Sequence, residues 1–404
     1  MNRNNTPTQD SYDVVVLGAG IAGLLLASEI SKQYSTLVVE KGLSPPKTKY
    51  WLTTKDAVKG NPDLDDESLI SRKFDSFFIA DSQQRNRQVR GGYYLWDTNK
   101  LVDFLCDKIS KNGGHFLMNH KYYSRRYESD NIVVSVNQRD ISAKVVVDCM
   151  GFNSPIIGAN SMVDIIGYHT VCGATVPTIK EVDPVAFCNL VESGHAHYLE
   201  IFPTNEKTAH VVMIASSEEP YPFDKLLPEF LFAVENSRWS QYFKGTSSEM
   251  LPLHGVIPVG TRMKTGINRV FIYGEGAQVH PASTAAGLTQ ILQSYRRVAK
   301  ELGSRIQSNQ LGGKSLEGIS VDNMSRFCSR IHRSVFGDYM GWTSTGFSKL
   351  VNQMGSLSDD VLNGMLFGDL VAGDVFSFEN LYRLIRSRNT ILLRHGFRAL
   401  LPGN

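Results

Sequence analysis

With 404 residues, 42% of them hydrophobic and 20% charged, the chain can bury a large core beneath an ordinary polar surface, which excludes a disordered protein. Lys and Arg number 42 against 40 for Asp and Glu, a balance that argues against a nucleic-acid partner. Five cysteines without a C-x-x-C pair argue against a disulfide framework and a cysteine zinc site, so a reducing, cytoplasmic setting is expected and no metal is assigned.

The N-terminus, Met1 to Asp10, is polar and rich in Asn and Thr, without the basic-then-apolar order of a signal peptide. The longest stretch free of charges and hydroxyls, Val14 to Ala27, falls below the ~18–20 apolar residues needed to cross a bilayer. It has a different logic. Asp13-Val14-Val15-Val16-Leu17 reads as a buried strand that enters Gly18-Ala19-Gly20-Ile21-Ala22-Gly23 without a linker, and Leu24, Leu25, Ala27 and Ile30 continue as an apolar helix to about Lys32. Thr36-Leu37-Val38-Val39 is a second strand, ending in Glu40 with Lys41 beside it.

Each residue type in this unit has a physical task. Gly18 permits the tight turn, Gly20 lets a pyrophosphate approach the backbone, and Gly23 lets helix and strand pack closely, while free N–H groups at the helix start face the phosphates. Glu40 stands at the strand end where a carboxylate accepts from both ribose hydroxyls of an adenosine, which favours an unphosphorylated ribose, as in FAD or NAD.

The choice between these cofactors rests on distant segments. Val145-Val146-Val147-Asp148-Cys149-Met150-Gly151 is another buried strand breaking at glycine, and Arg269-Val270-Phe271-Ile272-Tyr273-Gly274-Glu275-Gly276-Ala277 is a third. The latter runs through His280-Pro281-Ala282-Ser283-Thr284-Ala285-Ala286-Gly287 into the helical pattern Leu288, Ile291, Leu292, Tyr295 and Val298. At these residues the sequence resembles the flavoprotein clan of p-hydroxybenzoate hydroxylase-like monooxygenases, geranylgeranyl reductases and lycopene cyclases, discontinuously over residues 10–305.

By that resemblance Gly274 and Glu275 stand where ribityl hydroxyls are held, the loop from Pro281 through Ala285, Ala286 and Gly287 brings backbone N–H groups to a flavin ring, and Gly151 ends the segment beside the adenosine. Gly255-Val256-Ile257-Pro258 resembles the clan's G-x-I-P element, His280-Pro281 the cyclases' H-P-x-T-G, and Tyr94 to Leu101 the Y-x-x-x-D-R-x-x-L element, with Thr98 in place of the usual arginine. Glu275 replaces an aspartate. The cyclases' acidic F-L-E-E-T has its nearest counterpart in Met213 to Glu219, and no W-x-W-x-I-P stretch of flavin halogenases is present.

The resemblance implies an α/β fold: a Rossmann-type, glutathione reductase-like FAD-binding domain (11–50, 90–160 and 250–305), substrate-binding β-sheet insertions (51–89 and 161–249) and a helical C-terminal region (306–404). It implies an FAD-dependent oxidoreductase acting on a hydrophobic small molecule, as a monooxygenase or a double-bond reductase, with electrons from NAD(P)H or a separate reductase. A non-redox isoprenoid cyclase using reduced FAD and a noncatalytic FAD-binding scaffold stand as alternatives.

His280, next to the expected flavin loop, and Glu218 are the catalytic candidates; the competing readings are a loop histidine bonded to backbone and a solvated turn before Pro220. His195-Ala196-His197 resembles a metal pair but lacks further ligands nearby, so it reads as structural. Residues 379–401 carry five arginines (383, 386, 388, 394 and 398) among apolar residues, a pattern that fits either a helix packed on the body of the protein or peripheral contact with a membrane surface.

Overall fold

The computed structural model describes residues 10–47, 50–80, 86–189, 197–237, 239–244, 253–340, 344–386 and 390–400. It opens with β1 (Ser11–Leu17), α1 (Ile21–Ile30) and β2 (Thr36–Glu40), followed by β3 (Leu52–Thr54), β4 (Ile70–Ala80), β5 (Asn86–Trp96) and α2 (Thr98–Lys111). Next come β6 (His115–Met118), β7 (Tyr122–Tyr127), β8 (Ile132–Val136), β9 (Arg139–Asp148) and α3 (Pro155–Ala159). The middle of the chain supplies β10 (Val163–Pro177), β11 (Val185–Asn189), β12 (Tyr198–Pro203), β13 (Thr208–Ser217), α4 (Phe223–Asn236) and β14 (Leu253–Arg262). After β15 (Gly266–Ile267) and β16 (Val270–Ile272) the chain is helical: α5 (Gly287–Gln307), α6 (Gly313–Glu317), α7 (Arg326–Met340), α8 (Ser344–Met354), α9 (Asp359–Phe367), α10 (Ala372–Val375), α11 (Phe378–Arg386) and α12 (Thr390–Leu400).

These elements build two sheets. In the first the order is β15-β16-β9-β1-β2-β6, parallel from β16 to β6, with β8 and β7 added antiparallel at the lower end of β9. Val14, Val15, Val16 and Leu17 are buried on both faces of the sheet, which is why β1 reads as a continuous apolar run and not an alternating one. The same reason makes α1 apolar almost all round: Leu24, Leu25 and Leu26 are all inaccessible, because the helix lies between the sheet, α2 and α5.

The second sheet has the order β14-β10-β13-β12-β11-β4-β5-β3, antiparallel apart from the β11–β4 pair. Alternation along its strands divides two cores. Leu199, Ile201, Val211 and Met213 face α4 on the outer side, whereas Tyr198, Phe202, Val212 and Ile214 face α7, α8 and α9 on the inner side. The fold class is therefore the expected one, with residues 90–96 and 253–262 pairing in the second sheet: β5 runs unbroken across the boundary at 89/90 to Trp96, and β14, inside the 250–305 segment, lies along β10. The C-terminal helices, which no motif connected to the insertions, form the cover of the inner face.

Candidate cofactor and substrate site

Three segments far apart in the chain meet at the upper ends of β1, β9 and β16. Leu17 and Ile272 both pair with Asp148, and the next amides carry the register on: Cys149 N donates to Leu17 O at 2.8 Å and Tyr273 N to Asp148 O at 3.0 Å. The glycines then set how closely the three turns approach. Gly18 has φ of +102° and a Cβ there would lie 2.5 Å from the Cys149 carbonyl oxygen; on Gly23 it would lie 2.2 Å from the Gly18 oxygen. Gly274, at φ of +80°, leaves no room either, since its Cβ would come within 2.6 Å of Ala22.

Gly20 differs from all of these. Its backbone (φ −67°, ψ 170°) suits any residue, and a Cβ would meet nothing within 4 Å. The protein's own packing does not explain a glycine here; an open approach to the backbone does. Gly20 caps α1 without a side-chain hydrogen bond, so the N–H groups of Ile21 and Ala22 at the first turn are directed at that open face.

Glu40 closes the turn from the neighbouring strand. Its carboxylate accepts from Ala19 N at 2.8 Å and from Gly42 N at 2.9 Å, while Lys41 is exposed on the bend that follows. Asp148 is buried at the centre and accepts from Met150 N at 3.0 Å and from the Ser154 hydroxyl; burial pushes its carboxyl up to about 6 despite these bonds. Beyond it, Gly151 (φ +78°) approaches the Glu275 carboxylate, and a groove of about 590 Å³ opens alongside between Phe152, Asn153, Asp164 and Met263. Thr98 starts α2, half-buried, with Asp97 capping that helix by accepting from Lys100 N at 3.1 Å.

The loop from His280 to Gly287 is fixed from several sides. Ala285 takes φ of +55°, its N–H donates to Pro281 O at 2.9 Å, and Gly287 N donates to Ala285 O at 2.8 Å, which brings Ala286 to the uncapped head of α5. His169 on β10 reaches Ala282 O with Nε2 at 2.9 Å and Ser216 Oγ with Nδ1 at 2.8 Å. A carbonyl only accepts, so His169 carries its proton on Nε2 and Nδ1 accepts from the serine. On the helical side His332 Nδ1 meets Ser283 Oγ at 2.5 Å and Thr284 Oγ1 donates to Leu366 O at 2.8 Å. Burial holds both imidazoles neutral, pushing His169 down to about 4 and His332 to about 3.

Of the catalytic candidates, His280 is buried with its Cβ against Gly287 at the head of α5, whereas Glu218 is exposed on the bend after β13. His195 lies outside the described residues; its companion His197 is buried, its Nδ1 2.6 Å from Glu229 Oε2 and its ring edge-on to Tyr221.

A comparison with curated protein sequences finds no match. A sequence profile of the lycopene cyclase protein family matches residues 13–186. Among solved structures the chain is similar to a geranylgeranyl bacteriochlorophyll reductase-like protein from Thermoplasma acidophilum, at 16% identity over 95% of this chain and 98% of that one, with a TM-score of 0.70. It is similar also to a flavoprotein/dehydrogenase from Cytophaga hutchinsonii (14% identity, 95% and 99% covered, TM-score 0.69). The halogenase PltM, solved in complex with phloroglucinol and FAD, gives 14% identity, 97% coverage of both chains and a TM-score of 0.66. The chain has the fold of the flavoprotein clan that its sequence resembles.

In this flavoprotein fold the open face at Gly20, the uncapped first turn of α1 and the carboxylate of Glu40 fit the pyrophosphate and adenosine of FAD. The structure adds residues that motif reading did not find. Gln278, in the left-handed region at φ of 52°, accepts from Gly260 N at 2.8 Å with Oε1 and so ties the Gly274–Ala277 turn to β14 of the other sheet. His169 and His332 hold the Pro281 loop. A single polar residue in an apolar strand or helix gives no spacing signal, so only tertiary structure connects these three with the site.

Proposed function

We propose that the protein binds FAD noncovalently and is an FAD-dependent oxidoreductase acting on a hydrophobic small molecule. The observation that carries this reading is the meeting of Gly18–Gly23, Asp148–Gly151 and Gly274–Gly276 around an open helix start, with Gly20 unexplained by the protein's own packing. When bound, FAD supplies the electron-transfer chemistry, as hydroxylation or double-bond reduction, with NAD(P)H or a reductase as the electron source. The chain's residues orient and enclose. Gly20, Ile21 and Ala22 present N–H groups to the phosphates, and the Pro281–Gly287 loop, whose Thr284, Ala285 and Gly287 amides are bonded within it, turns Ala286 at the head of α5 towards the ring. His280 is available to hold a proton beside that loop. The inner face of the second sheet, lined by Phe74, Phe77, Tyr93, Tyr198 and Phe202 and roofed by α7, α8 and α9, gives a wall that excludes water.

The match of residues 13–186 to the lycopene cyclase family supports a second reading, cyclisation with reduced FAD and no net redox change, in which Glu218 is the acid. Reconstitution with FAD tests the first proposal: a yellow protein with a stoichiometric flavin spectrum supports it, and a colourless one after excess FAD refutes it. Turnover that consumes no oxidant and no reductant favours the cyclase over the oxidoreductase.

Peripheral membrane contact through 379–401 is also proposed. Phe378, Tyr382 and Ile385 recur at helical spacing on α11 and are 89%, 57% and 61% exposed, with Phe397 of α12 also outward. Arg383 is paired with Glu379, and Arg394 and Arg398 with Asp338, so apolar insertion carries this contact more than charge does. Among the described residues no helix is long and apolar enough to cross a membrane.

A further inference from the structure

The chain that leaves β6 is held against the bend after β2. Asn119 N donates to Gly42 O at 2.8 Å and His120 N to Glu40 O at 2.9 Å, beside the carboxylate assigned to the ribose. Asn119 takes φ of +58°, and the Asn137 side chain closes the turn, accepting from Lys121 N at 3.0 Å and donating to Asn119 O at 3.0 Å. β7 then starts at Tyr122, which is buried, two residues on from the contact with Glu40.

Three cations on the β7–β9 meander have carboxylate partners. Arg126 Nη1 lies 2.6 Å from Asp140, Arg139 Nη2 2.6 Å from Asp10 and Lys144 Nζ 2.8 Å from Asp13. Arg125 is different. It is half-buried, and among the described residues its guanidinium meets no acid: Nε donates to Tyr127 Oη at 3.0 Å and Nη1 to Tyr122 Oη at 3.5 Å. Two phenol oxygens leave most of its five N–H groups without a protein partner, those of Nη2 entirely. Withdrawing such a cation partly from water costs stability, and a meander that supplies acids to its neighbours supplies none here.

Two observations place this cation. Through the Tyr122 hydroxyl it adjoins the Glu40 bend. It also reaches the centre of the three-turn site: burial raises the Asp148 carboxyl, the bonds from Ser154 and Met150 lower it, and Arg125 is the charge that lowers it further. Asp148 stands beside the Gly18 turn, since Leu17 pairs with it across β1 and β9. The guanidinium therefore lies on the adenosine side of the site, between the Glu40 bend and Asp148.

An adenine ring offers nitrogen acceptors at its edges and a π face, and a guanidinium plane matches both, as a donor and as a stacked cation. We infer that Arg125 binds the adenine of FAD, donating to its ring nitrogens, and gives the site its preference for an adenine nucleotide. This rests on the proposed FAD reading. Glu40 then holds the ribose, the first turn of α1 the pyrophosphate, and Arg125 the base. Tyr122 and Tyr127 are positioning residues, whose hydroxyls hold the guanidinium with its carbon 5.9 Å from the centre of the Tyr127 ring.

The test is calorimetric titration of the flavin-free full chain with FAD, adenosine diphosphate and uridine diphosphate; the two diphosphates differ only in the base. The parent should bind adenosine diphosphate about ten-fold more tightly than uridine diphosphate. Arg125→Gln keeps the side-chain stem without the cation, and should lose about ten-fold for FAD and adenosine diphosphate while uridine diphosphate binds as before. Tyr127→Phe, at an exposed residue, leaves the guanidinium unanchored and should reduce the same base preference by a smaller factor, which keeps the question open to test if Arg125→Gln does not fold. Unchanged affinity for adenosine diphosphate in Arg125→Gln would overturn the inference. So would an equal loss for the two diphosphates, which would assign the cation to the phosphates or to the fold. Parent protein that takes up FAD no better than Arg125→Gln does refutes the role of Arg125 alone, and parent protein that takes up no FAD refutes the cofactor reading and this inference with it.

Discussion

His169 donates its Nε2 proton to the carbonyl oxygen of Ala282 across 2.9 Å, joining the second sheet to the loop proposed to face the flavin. His169→Ala removes this bond and the acceptor of the Ser216 hydroxyl, leaving two buried groups unpaired. The expected cost is about 2 kcal/mol, together with weaker flavin retention. Denaturant unfolding and flavin fluorescence measure the two effects; flavin retention unchanged in a destabilised variant would separate His169 from the cofactor loop.

The same residue carries a pH signature. Its folded value is about 4 against the ordinary 6.5, so the unfolded chain takes up a proton where the native one does not. Stability from this group is full above about 6.5 and is lost as pH falls towards 4. His332 and His395 act in the same direction, which makes a fall in melting temperature between pH 6.5 and 4 the expected result, shallower in His169→Ala. An identical slope in parent and variant would contradict it.

Gly20 and Gly23 separate binding from folding. Gly20→Val should fold with stability unchanged within about 0.5 kcal/mol, because its Cβ meets open space, but should not retain FAD. Gly23→Ala puts a methyl 2.2 Å from the Gly18 oxygen and should fail to fold stably. Circular dichroism and flavin absorbance of the two purified variants give the comparison.

Much of this division was legible in the sequence, and for a physical reason. The Gly18–Gly23 turn, its strands and Glu40 are contiguous, so their spacing carries the geometry of the unit. The strands ending at Asp148 and Ile272 are apolar runs ending near glycine and could be read in the same way. Parallel central strands announce themselves because both faces are buried. What spacing does not encode is contact at long range: that α7, α8 and α9 roof the inner face, that Gln278 reaches Gly260, and that Glu200 is the one carboxyl in an apolar row. For Glu200 the signal lay in a single acid inside Tyr198-Leu199-Glu200-Ile201-Phe202, which sequence alone cannot distinguish from an outward-facing residue until the strand's two neighbours are known.

Glu40 serves the fold and the ligand together, since its oxygens already accept from Ala19 and Gly42. Glu40→Ala should weaken FAD affinity about ten- to a hundredfold, the worth of a charge-assisted hydrogen bond, and loosen the turn without unfolding the chain. Calorimetric titration with FAD checks this. Unchanged affinity would mean that the carboxylate's role ends with the two backbone amides.

For the C-terminal helices the proposed membrane contact depends on apolar side chains. Phe378→Ser with Ile385→Ser should reduce sedimentation with phosphatidylcholine vesicles several-fold, whereas Arg386→Gln should matter only when anionic lipid is present. Parent protein that stays in the supernatant with both vesicle types would dispose of the contact.

Glu200 makes a prediction about stability that needs no ligand. Its carboxyl titrates near 8 in the folded protein and near the ordinary 4.5 in the unfolded chain, so between these values the native state holds the extra proton. Stability contributed by this group is full below about 4.5 and is lost as pH rises through about 8. Asp148, with its carboxyl raised to about 6, slopes the same way over a lower range, and the buried histidines slope the opposite way; all of them cancel when a variant is compared with its parent at each pH. Glu200→Gln has no proton to lose. Its advantage over the parent should therefore grow steadily from pH 5 to pH 8 and reach about 1–3 kcal/mol, less than the full shift would carry because the carboxyl keeps some contact with solvent. A difference between the two proteins that stays flat across that range would show that the carboxyl ionises as an ordinary surface acid.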